Sequence, residues 1–210
     1  MCFFHAAMKD LTLASLLNRY SGHTPTLIGT HREYAVLCPL VQLPDGLHLL
    51  FEVRSSTVSQ AGEVCFPGGR MESDETPTEC ALRETWEELH IPSSDVHVIG
   101  ACDFICNQRN FLLRPILGLI SPSGLERIAP SAAEVSEVFT VPLKFFQDTP
   151  PELWSYELVP QISENFPYGE VGIPENYPWS HGHVELPIWH YQGHTIWGMT
   201  ARIVRDLTQE

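Results

Sequence analysis

Hydrophobic positions change period several times along the chain, and each change marks an element. From Asp10 to Tyr20, Leu13, Leu16, Leu17 and Tyr20 recur at helical spacing with Gly22 just beyond, which predicts an amphipathic helix. "YAVLCPLV" (34–41) and "LHLLFEVR" (47–54) read as strands joined through "LPDG", a hairpin signal. "EVCF" (63–66) predicts a short strand running straight into "PGG". "VHVIGAC" (96–102), "FLLRPILGLI" (111–120) and "SEVFTVPL" (136–143) predict three more.

Residues 147–190 break this rhythm. Gln147 to Ser180 is dense in Pro, Tyr, Phe and Trp, weakly periodic and long for a connection, so it predicts an active-site cover or a small irregular subdomain. "VELPIWHYQGHTIW" resembles a hairpin with Gln192-Gly193 at its turn. Residues 195–208 return to helical spacing, with Ile196, Thr200, Ile203 and Leu207 on one face. The pattern is α+β, a mixed sheet between helices in one domain over residues 1–210, with its core at about 30–145.

The segment "CALRETWEELHI" (80–91) lies in a helix with a defined start: Thr76 is a good N-cap, Pro77 suits the first helical position, and Glu79 completes a capping box. At about 100° per residue, Leu82, Trp86 and Leu89 share one side, which predicts a core face. Glu84, Glu87 and Glu88 gather on the opposite side. Carboxylates four apart repel, and the second half of a helix disfavours negative charge through the macrodipole. A cation resolves both problems, and several carboxylate oxygens select Mg²⁺ or Mn²⁺ rather than zinc. The glycines of "FPGGR", coming out of a strand just upstream, let backbone approach a ligand closely.

Composition narrows the possibilities. A length of 210 residues with 43% hydrophobic and 18% charged content suits one sizeable globular core. No run is long and apolar enough to span a bilayer. "MCFFHAAMKDLTLASLL" lacks a basic leader and is interrupted by Lys9 and Asp10, so the expectation is a cytoplasmic protein without a signal peptide or membrane partner. The six cysteines (2, 38, 65, 80, 102 and 106) include no C-x-x-C pair, and most read as small buried hydrophobes. A net charge of −14 argues against long nucleic acid as a partner, while leaving room for a small anionic substrate whose field a divalent ion reverses.

Gly69, five residues, Glu75, seven residues and then "RETWEELHI" resembles the Nudix box, G-x5-E-x7-R-E-U-x-E-E-x-G-U, over residues 69–91. His90 stands where that box has its final glycine, at the helix end where a left-handed residue is needed. The resemblance implies a Nudix-type α/β/α sandwich and a metal-dependent enzyme that hydrolyses a nucleoside diphosphate linked to another moiety. It implies Glu84, Glu87 and Glu88 as metal ligands with the Gly69 carbonyl, Arg83 orienting the carboxylates, and Glu75 tying down the loop. A general base is still needed, and Glu134 or Glu137 of "SAAEVSEVFTVPL" supplies it, Glu134 being preferred.

"LLFEVRSSTVSQAGEVCFPGGR" further resembles coenzyme A diphosphatases, through Arg54-Ser55, Gly62 and Phe66-Pro67-Gly68-Gly69; "EVSEVFTVPL" and "IWGMTARIV" add to the likeness. It implies that Arg54, Gly68 and Gly69 bind substrate, and that coenzyme A or its thioesters are cut to adenosine 3′,5′-bisphosphate and 4′-phosphopantetheine. Between Ser55 and Gly62 that group carries a further arginine, where this chain has "STVSQA" and no base at all. ADP-ribose or a nucleotide sugar is therefore the alternative substrate. A non-catalytic nucleotide-sensing module is the alternative of another class, and the retained Glu84, Glu87 and Glu88 weigh against it. His181 and His183 form an H-x-H without an evident third ligand, and the aromatics of 166–191 read as packing over the sheet before any role in stacking adenine. The oligomeric state stays open, a homodimer included.

Overall fold

A computed structural model describes residues 11–25, 27–29, 31–107 and 109–208. The chain divides into two compact units, Met1–His31 and Arg32–Glu210. The first carries α1 (Leu13–Tyr20), started by Thr12 and Ser15, each side chain accepting from the other's backbone N–H. The expected start at Asp10 lies outside the described residues.

The second unit is an eight-stranded mixed sheet. β1 (Arg32–Leu43) and β2 (Gly46–Arg54) form the expected hairpin, from Leu43↔Gly46 to Leu40↔Leu49. Farther from the turn the two strands take different partners. β3 (Val64–Cys65) pairs with Val53 and Glu52 of β2, whereas β4 (Gly68–Arg70) pairs with Val36 to Tyr34 of β1. "FPGG" therefore fills the opening of the hairpin, and Leu37 N–H donates to the Pro67 carbonyl at 2.9 Å. β5 (Val96–Ala101) and β6 (Ile105–Asn107) pair antiparallel with β7 (Phe111–Ile120), which itself runs parallel to β1. β8 (Val135–Pro142) pairs with β2 along its other edge.

Alternation along central strands buries both faces. Ala35, Leu37 and Val41 of β1 pack with Cys80, Ala81 and Leu89 of α2 (Pro77–Leu89), near the short α3 (Pro122–Glu126). Cys38 and Leu40 pack the other way, with Phe146 of α4 (Leu143–Asp148) and Ala201, Ile203 and Val204 of α6 (Gly198–Thr208). The sheet thus lies between helices, as an α/β/α sandwich requires. Among the described residues no helix is long and apolar enough to cross a membrane.

Residues 147–190 are more regular than their weak periodicity suggests. β9 (Glu152–Leu158) pairs antiparallel with β10 (Gly182–Tyr191), with only the short α5 (Tyr168–Val171) between them. β9 is exposed along nearly its whole length, so no burial pattern imposed the apolar–polar alternation that reveals a strand. β10 turns through Gln192 and Gly193, at φ 47° and 89°, into β11 (His194–Ile196), as the hairpin pattern anticipated. The closing helix starts later than expected: Ile196 ends β11, Gly198 takes a positive φ of 65°, and the helix buries Ala201, Ile203 and Val204.

Candidate active site

α2 carries most of the site, and both its ends are fixed by short-range chemistry. Thr76 Oγ1 accepts from Glu79 N–H at 3.2 Å, while Glu79 Oε2 accepts from Thr76 N–H at 2.8 Å. At the other end His90 is left-handed, at φ 58° and ψ 28°, as the glycine it replaces would be. Its Nδ1–H donates to the Ala129 carbonyl at 2.7 Å. Ser131 and Ala129 N–H groups donate to the Glu88 and Leu89 carbonyls at 2.8 and 3.0 Å, so the loop leading to Glu134 is docked on the helix end.

The buried side of α2 is rotated from the expected one. Cys80, Ala81, Thr85, Glu88 and Leu89 are buried, while Trp86 is half exposed. Glu88 therefore points into the molecule beside the sheet, Glu84 lies largely covered, and of the three only Glu87 stays mostly exposed. Of the expected core face, Leu89 is buried and Leu82 packs against the core, but Trp86 is displaced outward and the small Ala81 and Cys80 take the contact with β1.

Each carboxylate has a defined partner. Glu88 Oε2 accepts from Gly68 N–H at 2.8 Å. Arg83 donates twice to Glu75, Nε to Oε1 at 2.8 Å and Nη2 to Oε2 at 3.1 Å. Its Nη1 reaches Glu84 Oε1 at 2.8 Å and Glu87 Oε2 at 3.1 Å. Glu75 also accepts from Glu72 N–H at 3.0 Å, so one arginine connects loop and helix. The Glu84 carboxylate lies directly over Gly69 Cα, where any Cβ would collide with it. At Gly68 a Cβ would collide with the Ala35 carbonyl of β1.

Electrostatics separates these groups. The Arg83 hydrogen bonds hold the Glu75 carboxyl down at about 2, and Arg83 itself is pushed up chiefly by Glu75. Burial raises Glu84 despite its contact with Arg83. Burial first, and then the charge of Glu52, pushes Glu88 up to about 9. Glu52 is raised to about 7, chiefly by burial, with Glu134 and Glu84 adding to the effect.

The NUDIX domain profile matches residues 31–162. "Uncharacterized Nudix hydrolase NudL" of Photorhabdus laumondii is 32% identical over 205 residues, covering 95% of this chain and 98% of that one. The chain belongs to the Nudix family. "Nudix hydrolase 3" of Caenorhabditis elegans is 37% identical over 147 residues, which cover 67% of this chain and 61% of that protein, so the match spans under two thirds of the relative. The Mycobacterium smegmatis Nudix hydrolase RenU, a solved structure, overlaps 58% of this chain and 76% of its own at 20% identity, with a TM-score of 0.48.

As a Nudix hydrolase, the protein acts on diphosphate linkages in nucleoside diphosphate derivatives. Nudix enzymes use divalent ions, and the donor type here suits them, because carboxylate oxygens are hard ligands. They do not form a ready-made cage. Among the described residues no three His, Cys, Asp or Glu converge closely enough to hold an ion as they stand. In that arrangement Arg83 and Gly68 N–H occupy oxygens that an ion would otherwise attract.

The remaining Nudix candidates separate cleanly. Glu134 is exposed on the docked loop, and its charge acts on Glu52, Glu84 and Glu88. Glu137 pairs instead with His194 at 3.1 Å, and Phe139, two residues on, stacks on that imidazole. Arg54 ends β2 and its Nε donates to the Ser59 carbonyl at 2.8 Å rather than to a carboxylate. His183 faces Glu157 across β10 and β9, far in sequence from the box. Among the described cysteines Cys38 and Cys80 are buried free thiols, as expected, but Cys65 and Cys102 are half-buried and Cys106 is exposed. Glu52, buried to 1% exposure, escaped the sequence reading; the sign was a lone carboxylate inside the apolar run "LHLLFEVR".

Proposed function

We propose that this Nudix hydrolase is a Mg²⁺- or Mn²⁺-dependent diphosphatase whose preferred substrate is coenzyme A or one of its thioesters. The observation that carries the metal-dependent reading is the linked set of Arg83, Glu75, Glu84, Glu87 and Glu88, tied to Gly68 and packed on Gly69. Glu84, Glu87 and Glu88, with the Gly69 carbonyl, would hold the ion. When bound it supplies neutralisation of the diphosphate charge and a more acidic attacking water. Arg83 sets the directions of Glu84 and Glu87, and Gly68 N–H aims Glu88. Glu134 takes the proton from water as it adds to phosphorus and the P–O–P bond breaks.

The coenzyme A preference rests on "LLFEVRSSTVSQAGEVCFPGGR", in which Arg54 stands as the phosphate contact beside the glycine turn. The loop after Arg54 is held by Gly62 N–H donating to the Arg54 carbonyl and by Gln60 Nε2 donating to Glu63, and it brings no base. That loop favours a second reading, a substrate without the ribose 3′-phosphate, such as ADP-ribose.

A substrate panel decides between them: coenzyme A, dephospho-coenzyme A, ADP-ribose, nucleotide sugars and NADH, each with Mg²⁺ and Mn²⁺, read by product mass. The expected result is coenzyme A cut with the highest kcat/KM into the bisphosphate and phosphopantetheine halves. Dephospho-coenzyme A or ADP-ribose ahead would overturn the preference and make "STVSQA" the specificity signal.

A further inference from the structure

Glu52 has no place in the box, yet its setting is unusual. It lies mid-strand in β2, where alternation puts Leu49 and Phe51 on the α6 face and Leu50 with Glu52 on the α2 face. It is 99% buried, at 1% exposure. Cys65 Sγ, on the paired strand β3, donates to its Oε1 at 3.3 Å. Its Oε2 has no hydrogen-bond partner at all among the described residues. The nearby positive charge, Arg54, sends its Nε to the Ser59 carbonyl.

A buried carboxylate with one weak thiol donor and one unpartnered oxygen is expensive to maintain unless a positive charge compensates it. A threonine or an apolar side chain would fill the same place on β2 without that cost. Arg54 eases the charge of Glu52 from the strand end, while Glu84, Glu88 and Glu134 act against it, so Glu52 lies beside the carboxylates of α2 rather than in open solvent.

We propose that Glu52 is a further metal ligand, contributing Oε2 from β2 to the divalent ion held by Glu84 and Glu88. This rests on the metal-dependent reading of the α2 site and adds a ligand from outside the box. Cys65 then has a defined part: by holding Oε1 it turns Oε2 toward α2. The centre becomes one gripped from both sides, helix and strand, with more carboxylate charge than the box alone supplies.

The test compares Mn²⁺ binding by the full chain and its Glu52→Gln variant, using the free Mn²⁺ electron paramagnetic resonance signal and calorimetry, with thermal melting in EDTA as the folding control. Glu52→Gln is expected to melt no lower without metal and to bind Mn²⁺ at least ~10-fold more weakly, the scale on which even an outer-shell partner acts. Unchanged Mn²⁺ affinity in the folded variant overturns this inference alone and leaves the α2 site standing. A parent protein that binds no Mn²⁺ overturns the metal reading and this ligand with it. Should Glu52→Gln not fold, Glu52→Asp takes its place: the shorter carboxylate weakens Mn²⁺ binding if it is a ligand and leaves it unchanged if it is not.

Discussion

At the scale of single residues, position and partner decide what a glutamate can do. Glu87 is half exposed and shares Arg83, Glu84 lies over Gly69, and Glu88 is buried with its oxygen on Gly68 N–H. The same residue type, at three positions within little more than one helical turn, therefore has three environments. Glu88→Gln is the sharpest probe of the group, because its amide oxygen can still accept from Gly68 while the ligand charge disappears. We expect the fold to persist and turnover to fall ~10²-fold or more, the effect of deleting one charge-stabilising group from an active site. Full activity in Mg²⁺ would mean that Glu88 is not a ligand. His90 shows the converse, a residue that looks like a defect in sequence. Its left-handed backbone costs roughly 1 kcal/mol relative to glycine, and the bond to the Ala129 carbonyl offsets part of that cost while docking the Glu134 loop.

Among elements, legibility followed the strength of the local rule. The capping box at Thr76, the hairpin at "LPDG" and the turn at Gln192-Gly193 rest on backbone chemistry within a few residues, and each lies where the sequence places it. The rotation of α2 was not legible. Helical periodicity reports the volume of side chains, whereas the sheet surface takes Cys80 and Ala81 along with Leu89 and leaves Trp86 outside. β9 was hidden for the opposite reason, since an exposed strand carries no burial pattern. Glu52 became meaningful only when the fold brought β2 to α2. The element-scale test concerns the link from the loop to α2, where Arg83 holds Glu75 at about 2 against an ordinary 4.5. A carboxyl lowered by folding stabilises the native state above its unfolded value and loses that contribution as pH falls through its folded one. Urea unfolding of the parent and Glu75→Gln should therefore differ most near neutral pH, with the gap closing between about 4.5 and about 2. A gap independent of pH would show that packing, not the ion pair, makes the link.

For the whole molecule, the question is whether this much acid is compatible with a stable fold in the absence of a cation. The chain carries a net charge of −14, and four carboxylates, those of Glu52, Glu84, Glu88 and Glu134, act on one another around α2. Two kinds of relief are distinguishable. Diffuse screening depends on ionic strength and is supplied equally by NaCl. Binding in the site depends on the ion and follows mass action, contributing ~2.7 kcal/mol when free ligand is 100 times its Kd. For a chain of this size each kcal/mol raises Tm by roughly 2–4 °C, so saturating Mn²⁺ should raise the melting temperature by roughly 5–10 °C over EDTA. NaCl at matched ionic strength should give a small part of that shift, and Glu84→Gln combined with Glu88→Gln should remove the Mn²⁺-specific remainder. If NaCl reproduces the whole shift, the acidic cluster is a general charge burden and not a centre organised around a metal. If the shift survives the double substitution, the ion binds elsewhere, because no other arrangement of these groups leaves α2 with two fewer charges and its affinity intact.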